Sequence, residues 1–343
     1  MRNLWLHSVK LYLRIGLFFY FRRIKVEGLD HIPKDKPVLL LSNHQNALID
    51  ALLIATRLPY FAYYLTRAGV FKKEIVSKLL NSFNMLPVYR IRDGWSNLTN
   101  NNLVFEKCKK LLHARQTVVI FPEGSHNLAR RVRPLSKGFT RIVFDTLDTY
   151  PDTDLHLVPL GLNFKNPKDF VDSASLYFGK PILASDYLTE NRNEDIARLR
   201  QDMQRAITGL TTHIPKEHYD DTLKKLEQLQ VDFLEPKSVN ACIASNFQDC
   251  KKQPQDNFNG IRKVLKVLLK LSVFLPYLLW KLWIQPKIKE LEFTATFRFA
   301  VAITLVPLFI IVMSLILAAW FGIQVAMIYF ISVILIALLT VKL

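Results

Sequence analysis

The chain is poor in cysteine. Its 343 residues include three, Cys108, Cys242 and Cys250, widely spaced and odd in number. No CxxC pair and no Cys/His zinc spacing occurs. That excludes a disulfide scaffold and a compact zinc module, and predicts free thiols in a reducing compartment. Acidic residues are scarce too: 29 Asp and Glu face 46 Lys and Arg, a formal net charge of +17. Such an excess calls for an anionic partner: nucleic acid, an anionic membrane surface or a phosphorylated substrate. No internal repeat appears. Half of the residues are apolar, too many for a disordered basic tail and suited to a membrane-associated protein.

Charge is absent from the C-terminal region in long stretches. Phe299 to Phe321 is an uncharged run of 23 residues, long enough to span a bilayer core of roughly 30 Å. After Gly322 and Gln324, Val325 to Val341 is nearly apolar. The spacing predicts transmembrane helices over about 299–321 and 325–341, against a bland reading as a buried hairpin of a soluble protein. The short loop between them has no Lys or Arg, whereas Lys287, Lys289, Arg298 and Lys342 flank the other side. The positive-inside rule then places the bulk of the chain on the cytoplasmic side.

The N-terminus lacks a small-residue cleavage site, and charges interrupt its apolar region, which argues against a signal peptide. His7, Lys10 and Arg14 share one helical stripe among Leu4, Trp5, Leu6, Leu11 and Phe18. Residues 1–24 therefore read as an amphipathic interfacial helix with Arg22, Arg23 and Lys25 near headgroup phosphates. An ordinary first helix packed on the domain is the alternative. Residues 261–290 repeat the theme: Arg262, Lys266 and Lys270 precede an apolar run too short to span alone. An interfacial or re-entrant segment kinked at Pro276 is expected.

Between these ends, short apolar runs alternate with longer mixed stretches. Strands are expected at 37–41, 60–66, 85–89, 117–121, 155–162 and 175–178. Helices are expected at 47–57, 72–83, 98–114 and 137–149, with further helical patterns near 194–209 and 217–231. The alternation predicts an α/β domain over 25–215, with a central, mostly parallel sheet flanked by helices. Residues 216–260 read as a polar, helix-prone linker or cap leading to a membrane region at 261–343.

Two polar clusters sit where strands should end. Ser42-Asn43-His44-Gln45-Asn46 follows Val38-Leu39-Leu40-Leu41, and Asp50 falls six residues after His44. With His44 in the loop and Asp50 in the first helical turn, the carboxylate reaches one ring nitrogen and leaves the other as a base. Taken alone, such a string is common by chance, and a surface histidine is the bland reading. Phe121-Pro122-Glu123-Gly124-Ser125-His126 follows Val118-Val119-Ile120, putting a carboxylate at a strand's C-terminal edge, where α/β sheets bind ligands. Gly124 allows close approach of a ligand to backbone. Arg130, Arg131, Arg133 and Lys137 follow within eight positions, fitting either an anion site or a solvated basic loop. Arg90 ends a further predicted strand.

In order and spacing together, these blocks resemble the phospholipid/glycerol acyltransferase (PlsC-like) family. The matching segments are Asn43-His44-Gln45-Asn46 through Asp50, Pro87-Val88-Tyr89-Arg90, Phe121-Pro122-Glu123-Gly124-Ser125 and Val158-Pro159-Leu160. The resemblance covers roughly residues 25–215. Two departures stand out. Five residues separate His44 from Asp50, where the common bacterial form has four, and His126 stands where an Arg is usual. Both features, with Thr66-Arg67-Ala68-Gly69-Val70-Phe71-Lys72, are similar to the fungal-type glycerol-3-phosphate and dihydroxyacetone-phosphate acyltransferases.

The resemblance implies direct acyl transfer from acyl-CoA or acyl carrier protein, with His44 and Asp50 as the reacting pair. It implies substrate contacts at Arg90, Glu123, Gly124, Ser125 and Lys137: Glu123 would position the acceptor, while Arg90 and Lys137 would hold its phosphate. The implied partners are a thioester donor, a phosphorylated glycerol acceptor and membrane lipids, with no nucleic acid, no metal and no cofactor besides the acyl donor. Lysophosphatidate is the alternative acceptor. Competing classes are a metal hydrolase built on His44, Asp50, Glu123 and His126, and a non-enzymatic basic membrane adaptor.

Overall fold

The computed structural model describes residues 2–89, 101–253 and 258–343. The expected α/β domain is present. Eight strands form one sheet: β1 (Phe21–Glu27), β2 (Val38–Ser42), β3 (Tyr63–Arg67), β4 (Met85–Val88), β5 (Thr117–Ile120), β6 (His156–Phe164), β7 (Asp172–Phe178) and β8 (Ile182–Leu183). Their order is β1-β7-β6-β2-β5-β3-β4, with β8 on β6. Pairing is parallel except for β6 with β7 and β8.

Strand β2 lies at the centre, and all five of its residues are buried. That burial on both faces explains the unbroken apolar run, because a central parallel strand has no solvent side. Leu39 and Leu41 face one core with Val118, Phe139, Ile142, Leu199 and Met203. These come in part from helices α5 (Gly138–Thr149) and α6 (Arg192–Leu210). Val38 and Leu40 face the other core with Leu17, Leu53, Ile54 and Phe299. That face is covered by α1 (Arg2–Phe18), α2 (Leu48–Arg57) and the start of α11 (Thr294–Phe321). This long apolar helix is thus rooted in the core of the α/β domain.

Among the described residues, two helices are long and apolar enough to cross a membrane, α11 and α12 (Ile323–Lys342). Gly322 joins them at φ +88°, a backbone conformation that glycine adopts without Cβ strain. Ahead of them, α9 (Asn259–Ser272) and the segment Phe274–Lys287 meet at a 100° bend. By length and composition the bent pair could form one broken span or a re-entrant loop.

Some expectations change. The N-terminal helix stops at Phe18, and residues 21–27 form edge strand β1, paired with β7. Lys25 turns to protein, not to headgroups: its ammonium pairs with Glu27 and Glu235, each at 2.6 Å. Residues 216–250 pack as a helical cap with its own apolar cluster around Ile214, Leu226, Phe233 and Val239. Within it, Cys242 and Cys250 form a disulfide, which corrects the expectation of three free thiols. The turn after helix α8 (Pro236–Ala244) returns the chain to its own last turn, bringing the two sulfurs together. Cys108 remains free and buried.

Candidate active site

The loop after β2 is held by backbone bonds before it does any chemistry. The Asn43 side chain bridges to β6: its Nδ2 donates to the Leu162 carbonyl at 3.0 Å, and its Oδ1 accepts from Leu162 N–H at 2.7 Å. His44 follows at the C-terminal edge of the sheet. Its Nδ1 lies 2.7 Å from Asp50 Oδ2. Asp50 sits in the first turn of α2, and its side chain has 0% exposure. The same oxygen accepts the Asn46 N–H at 2.8 Å, fixing the carboxylate. Ala47, with φ +46°, makes the sharp entry into α2 that lets a residue six positions on reach back to the imidazole.

The His44 ring stacks on Phe121 at 4.1 Å between centroids and 17° between planes. Asp50 therefore accepts a hydrogen bond from Nδ1–H, and Phe121 sets the ring plane. Among the described residues nothing hydrogen-bonds Nε2. A neutral imidazole so oriented presents a lone pair at Nε2 and can remove a proton from a hydroxyl.

Glu123 is buried beside this pair. Its Oε1 accepts the His44 backbone N–H at 3.3 Å, and its Oε2 accepts from Arg133 Nε at 2.7 Å. Burial pushes the Glu123 carboxyl above its ordinary range, and Arg133 opposes that shift. Arg133 also donates through Nη1 to Ser125 Oγ at 2.6 Å, and through Nη2 to the Ser125 carbonyl. Gly124 turns the loop at φ +72°. The two strand-end loops are then tied together, with Asn127 N–H donating to the His44 carbonyl at 3.1 Å.

His126 packs edge-on to His44, 5.5 Å between centroids, and against Phe293 at 4.7 Å. Its Nε2 lies 3.6 Å from Glu290, a residue just before α11. Burial and the nearby His44 lower the His126 pKa. The segment leading into α11 thus forms one wall of the site.

The structure brings together His44, Asp50, Glu123, Gly124 and Ser125. Lys137 does not join them: it is exposed at the start of α5, and no described side-chain hydrogen bond or ion pair ties it to the cluster. Arg90 lies outside the described residues. Arg133 is the residue whose role was missed. Its only sequence signal is membership of the basic group after the Pro-Glu-Gly turn. Of that group, Arg130 is structural: it donates to the Phe164 and Lys165 carbonyls at 2.6 and 2.7 Å and stacks on Phe233. Arg131 and Arg133 line a cavity of about 250 Å³ with Asn127, Ala129, Lys216 and Tyr219. Three cations at one cavity suit an anion.

Residues 23–163 match the family model described as Acyltransferase. Glycerol-3-phosphate O-acyltransferase 1 of Saccharomyces cerevisiae is 27% identical over 104 residues, 29% of this chain and 14% of that protein. The chloroplastic 1-acyl-sn-glycerol-3-phosphate acyltransferase LPAT1 of Arabidopsis thaliana is 26% identical over 130 residues, 38% of this chain and 34% of that protein. The matched segment is therefore well under half the length of these relatives. The crystal structure of the 1-acyl-sn-glycerophosphate (LPA) acyltransferase PlsC from Thermotoga maritima aligns with a TM-score of 0.45 and 18% identity. That alignment covers 63% of this chain and 83% of that one.

Proposed function

We propose that the domain whose residues 23–163 match the Acyltransferase family model transfers a fatty acyl group from a thioester donor to a hydroxyl of a glycerol phosphate. The observation that carries this reading is the 2.7 Å contact between His44 Nδ1 and buried Asp50. Nε2 of His44 removes the hydroxyl proton as the oxygen attacks the thioester carbonyl. Collapse of the tetrahedral intermediate breaks the carbon–sulfur bond, and the proton on His44 passes to the leaving thiolate. A thioester is already activated, so the acyl group needs no stop on the enzyme. Ser125 is structural in this reading, its hydroxyl oxygen accepting from Arg133.

Glu123 acts mainly through the loops. Both its oxygens are occupied, one by the His44 backbone and one by Arg133. The acceptor phosphate is assigned to the basic cavity of Arg131, Arg133 and Lys216, with Arg90 and Lys137 as the further cations implied by the resemblance. The α11–α12 hairpin anchors the domain to a membrane, where an acylated product partitions, with the domain on the cytoplasmic side. Donors are acyl-CoA or acyl carrier protein.

Glycerol 3-phosphate or dihydroxyacetone phosphate is the proposed acceptor, following the likeness to the fungal-type enzymes and the yeast relative. The plant relative favours 1-acylglycerol 3-phosphate as the second reading. The full chain, purified in detergent, should be assayed with a labelled acyl thioester against each of the three acceptors. Acylation of either three-carbon acceptor supports the first reading, acylation of only the lyso-lipid supports the second, and no acylation of any of them rejects both.

A further inference from the structure

A second basic cluster lies away from His44, where three elements meet beside the end of the hairpin. Helix α1 contributes Lys10 and Arg14, the last turn of α2 contributes Arg57, and the last turn of α12 contributes Lys342. Lys10 Nζ donates to the Leu58 carbonyl, just past α2, and lies over the Phe61 ring. Lys342 Nζ donates to the Phe21 and Arg22 carbonyls at 2.8 and 3.3 Å, and sits 4.0 Å from the centre of the Phe18 ring. Lys342 is therefore drawn to the junction of α1 with β1, and Lys10 to the connection between α2 and β3.

Successive members of the series Lys10, Arg14, Arg57 and Lys342 repel one another. Burial, and then Arg14, lower the pKa of both Lys10 and Arg57. Arg57 in turn is within electrostatic reach of Lys342. Among the described residues no carboxylate pairs with any of the four. The Nε of Arg57 is buried with no hydrogen-bond partner. Cations gathered this way cost stability unless an anion joins them.

The surroundings say which anion. Leu11 and Phe18 stand at i−3 and i+4 from Arg14, and Leu335 and Leu339 at i−7 and i−3 from Lys342, so each shares the helical face of its cation. All four are exposed large apolar side chains. Lys342 also marks the end of a helix long and apolar enough to cross a membrane. A free phosphate would satisfy the charges and leave those apolar faces bare.

We propose that Lys10, Arg14, Arg57 and Lys342 bind the headgroup phosphate of an anionic glycerophospholipid whose acyl chains lie against α1 and α12. The site is joined to the reacting pair by one short helix. Asp50 is in the first turn of α2 and Arg57 in its last, about 10 Å apart along the axis. A lipid held at Arg57 steadies the helix that carries the catalytic carboxylate. The binding claim itself stands apart from the proposed activity and is tested without turnover.

The test is calorimetric titration of the full chain, in a non-ionic detergent, with dioctanoylphosphatidylglycerol, dioctanoylphosphatidylcholine and inorganic phosphate. Phosphatidylglycerol should bind at least tenfold tighter than phosphatidylcholine. At about fivefold per cation, Arg14→Gln with Arg57→Gln should weaken phosphatidylglycerol roughly 25-fold and leave phosphatidylcholine unchanged. Lys342→Gln alone should cost about fivefold, and it carries the test if the double variant does not fold. The control pair Lys281→Gln with Lys287→Gln, exposed cations on the bent segment, should change nothing. Equal binding of the two lipids by the wild type overturns the proposal. So does an equal loss in the control pair, which indicates a diffuse basic surface, or inorganic phosphate binding as tightly as phosphatidylglycerol. Full retention of affinity in Lys342→Gln also overturns it.

Discussion

Replacing Asp50 by Asn probes the proposed chemistry with the least disturbance of shape. Asp50 is fully buried and makes two contacts through one oxygen, to His44 Nδ1 at 2.7 Å and to the Asn46 N–H at 2.8 Å. An amide fills the same volume. Because both contacts fall on one oxygen position, an NH₂ placed there meets the imidazole and leaves the Asn46 N–H without its acceptor. That amide donates to Nδ1, so the ring proton moves to Nε2, the nitrogen that must accept the substrate proton. The base is then in the wrong tautomer, and the imidazolium formed in the transition state loses its counter-charge. The equivalent change in a serine-protease triad lowers kcat by roughly 10⁴, which is about 5.5 kcal/mol of barrier. The same arithmetic applies here, because the contact is as short and the carboxylate is wholly buried. The measurement is kcat from initial rates of labelled acyl transfer, alongside thermal unfolding to show that the fold survives. A folded Asp50→Asn enzyme within about fivefold of wild-type kcat would refute the base–carboxylate reasoning.

Arg133→Gln strands the buried Glu123 carboxylate and should cost about 3 kcal/mol near neutral pH, read by chemical denaturation. The sign with pH follows from the raised Glu123 pKa: protonation relieves the stranded charge, so the defect should shrink as pH falls towards the carboxylate range and grow as it rises. A pH-independent defect would count against a charge origin. Asn43→Ala removes both side-chain bonds that pin the loop after β2 to β6, at about 2 kcal/mol of stability; an unchanged Tm contradicts the pinning. Maleimide labelling of the unfolded, non-reduced chain should modify one thiol, Cys108, with three labelled thiols contradicting the Cys242–Cys250 bond.

The parts legible in sequence are those whose signal is local. The run Val38-Leu39-Leu40-Leu41 announced a doubly buried strand, and its end announced a site because polar residues followed at once. The pairing of His44 with Asp50 was legible for the same reason: strand, loop and first helical turn are contiguous. Strand β1 was not, because Phe21-Arg22-Arg23-Ile24-Lys25-Val26-Glu27 carries the charges typical of a sheet edge, and these read as a membrane-facing tail. Arg133 was illegible among four neighbouring cations. Only the folded loop shows that it returns to Glu123 while Arg130 turns inward to main-chain carbonyls. The wall built by His126, Glu290 and Phe293 joins residues more than 160 positions apart, a relation no local pattern encodes.

The central claim is that His44 is the base of an acyl-transfer reaction. Its most direct test is acyl transfer by the purified full chain, wild type against His44→Ala, with a labelled thioester donor and a glycerol phosphate acceptor. The account predicts labelled acylglycerol phosphate from the wild type and none above background from a folded His44→Ala protein; equal turnover by the two would contradict it.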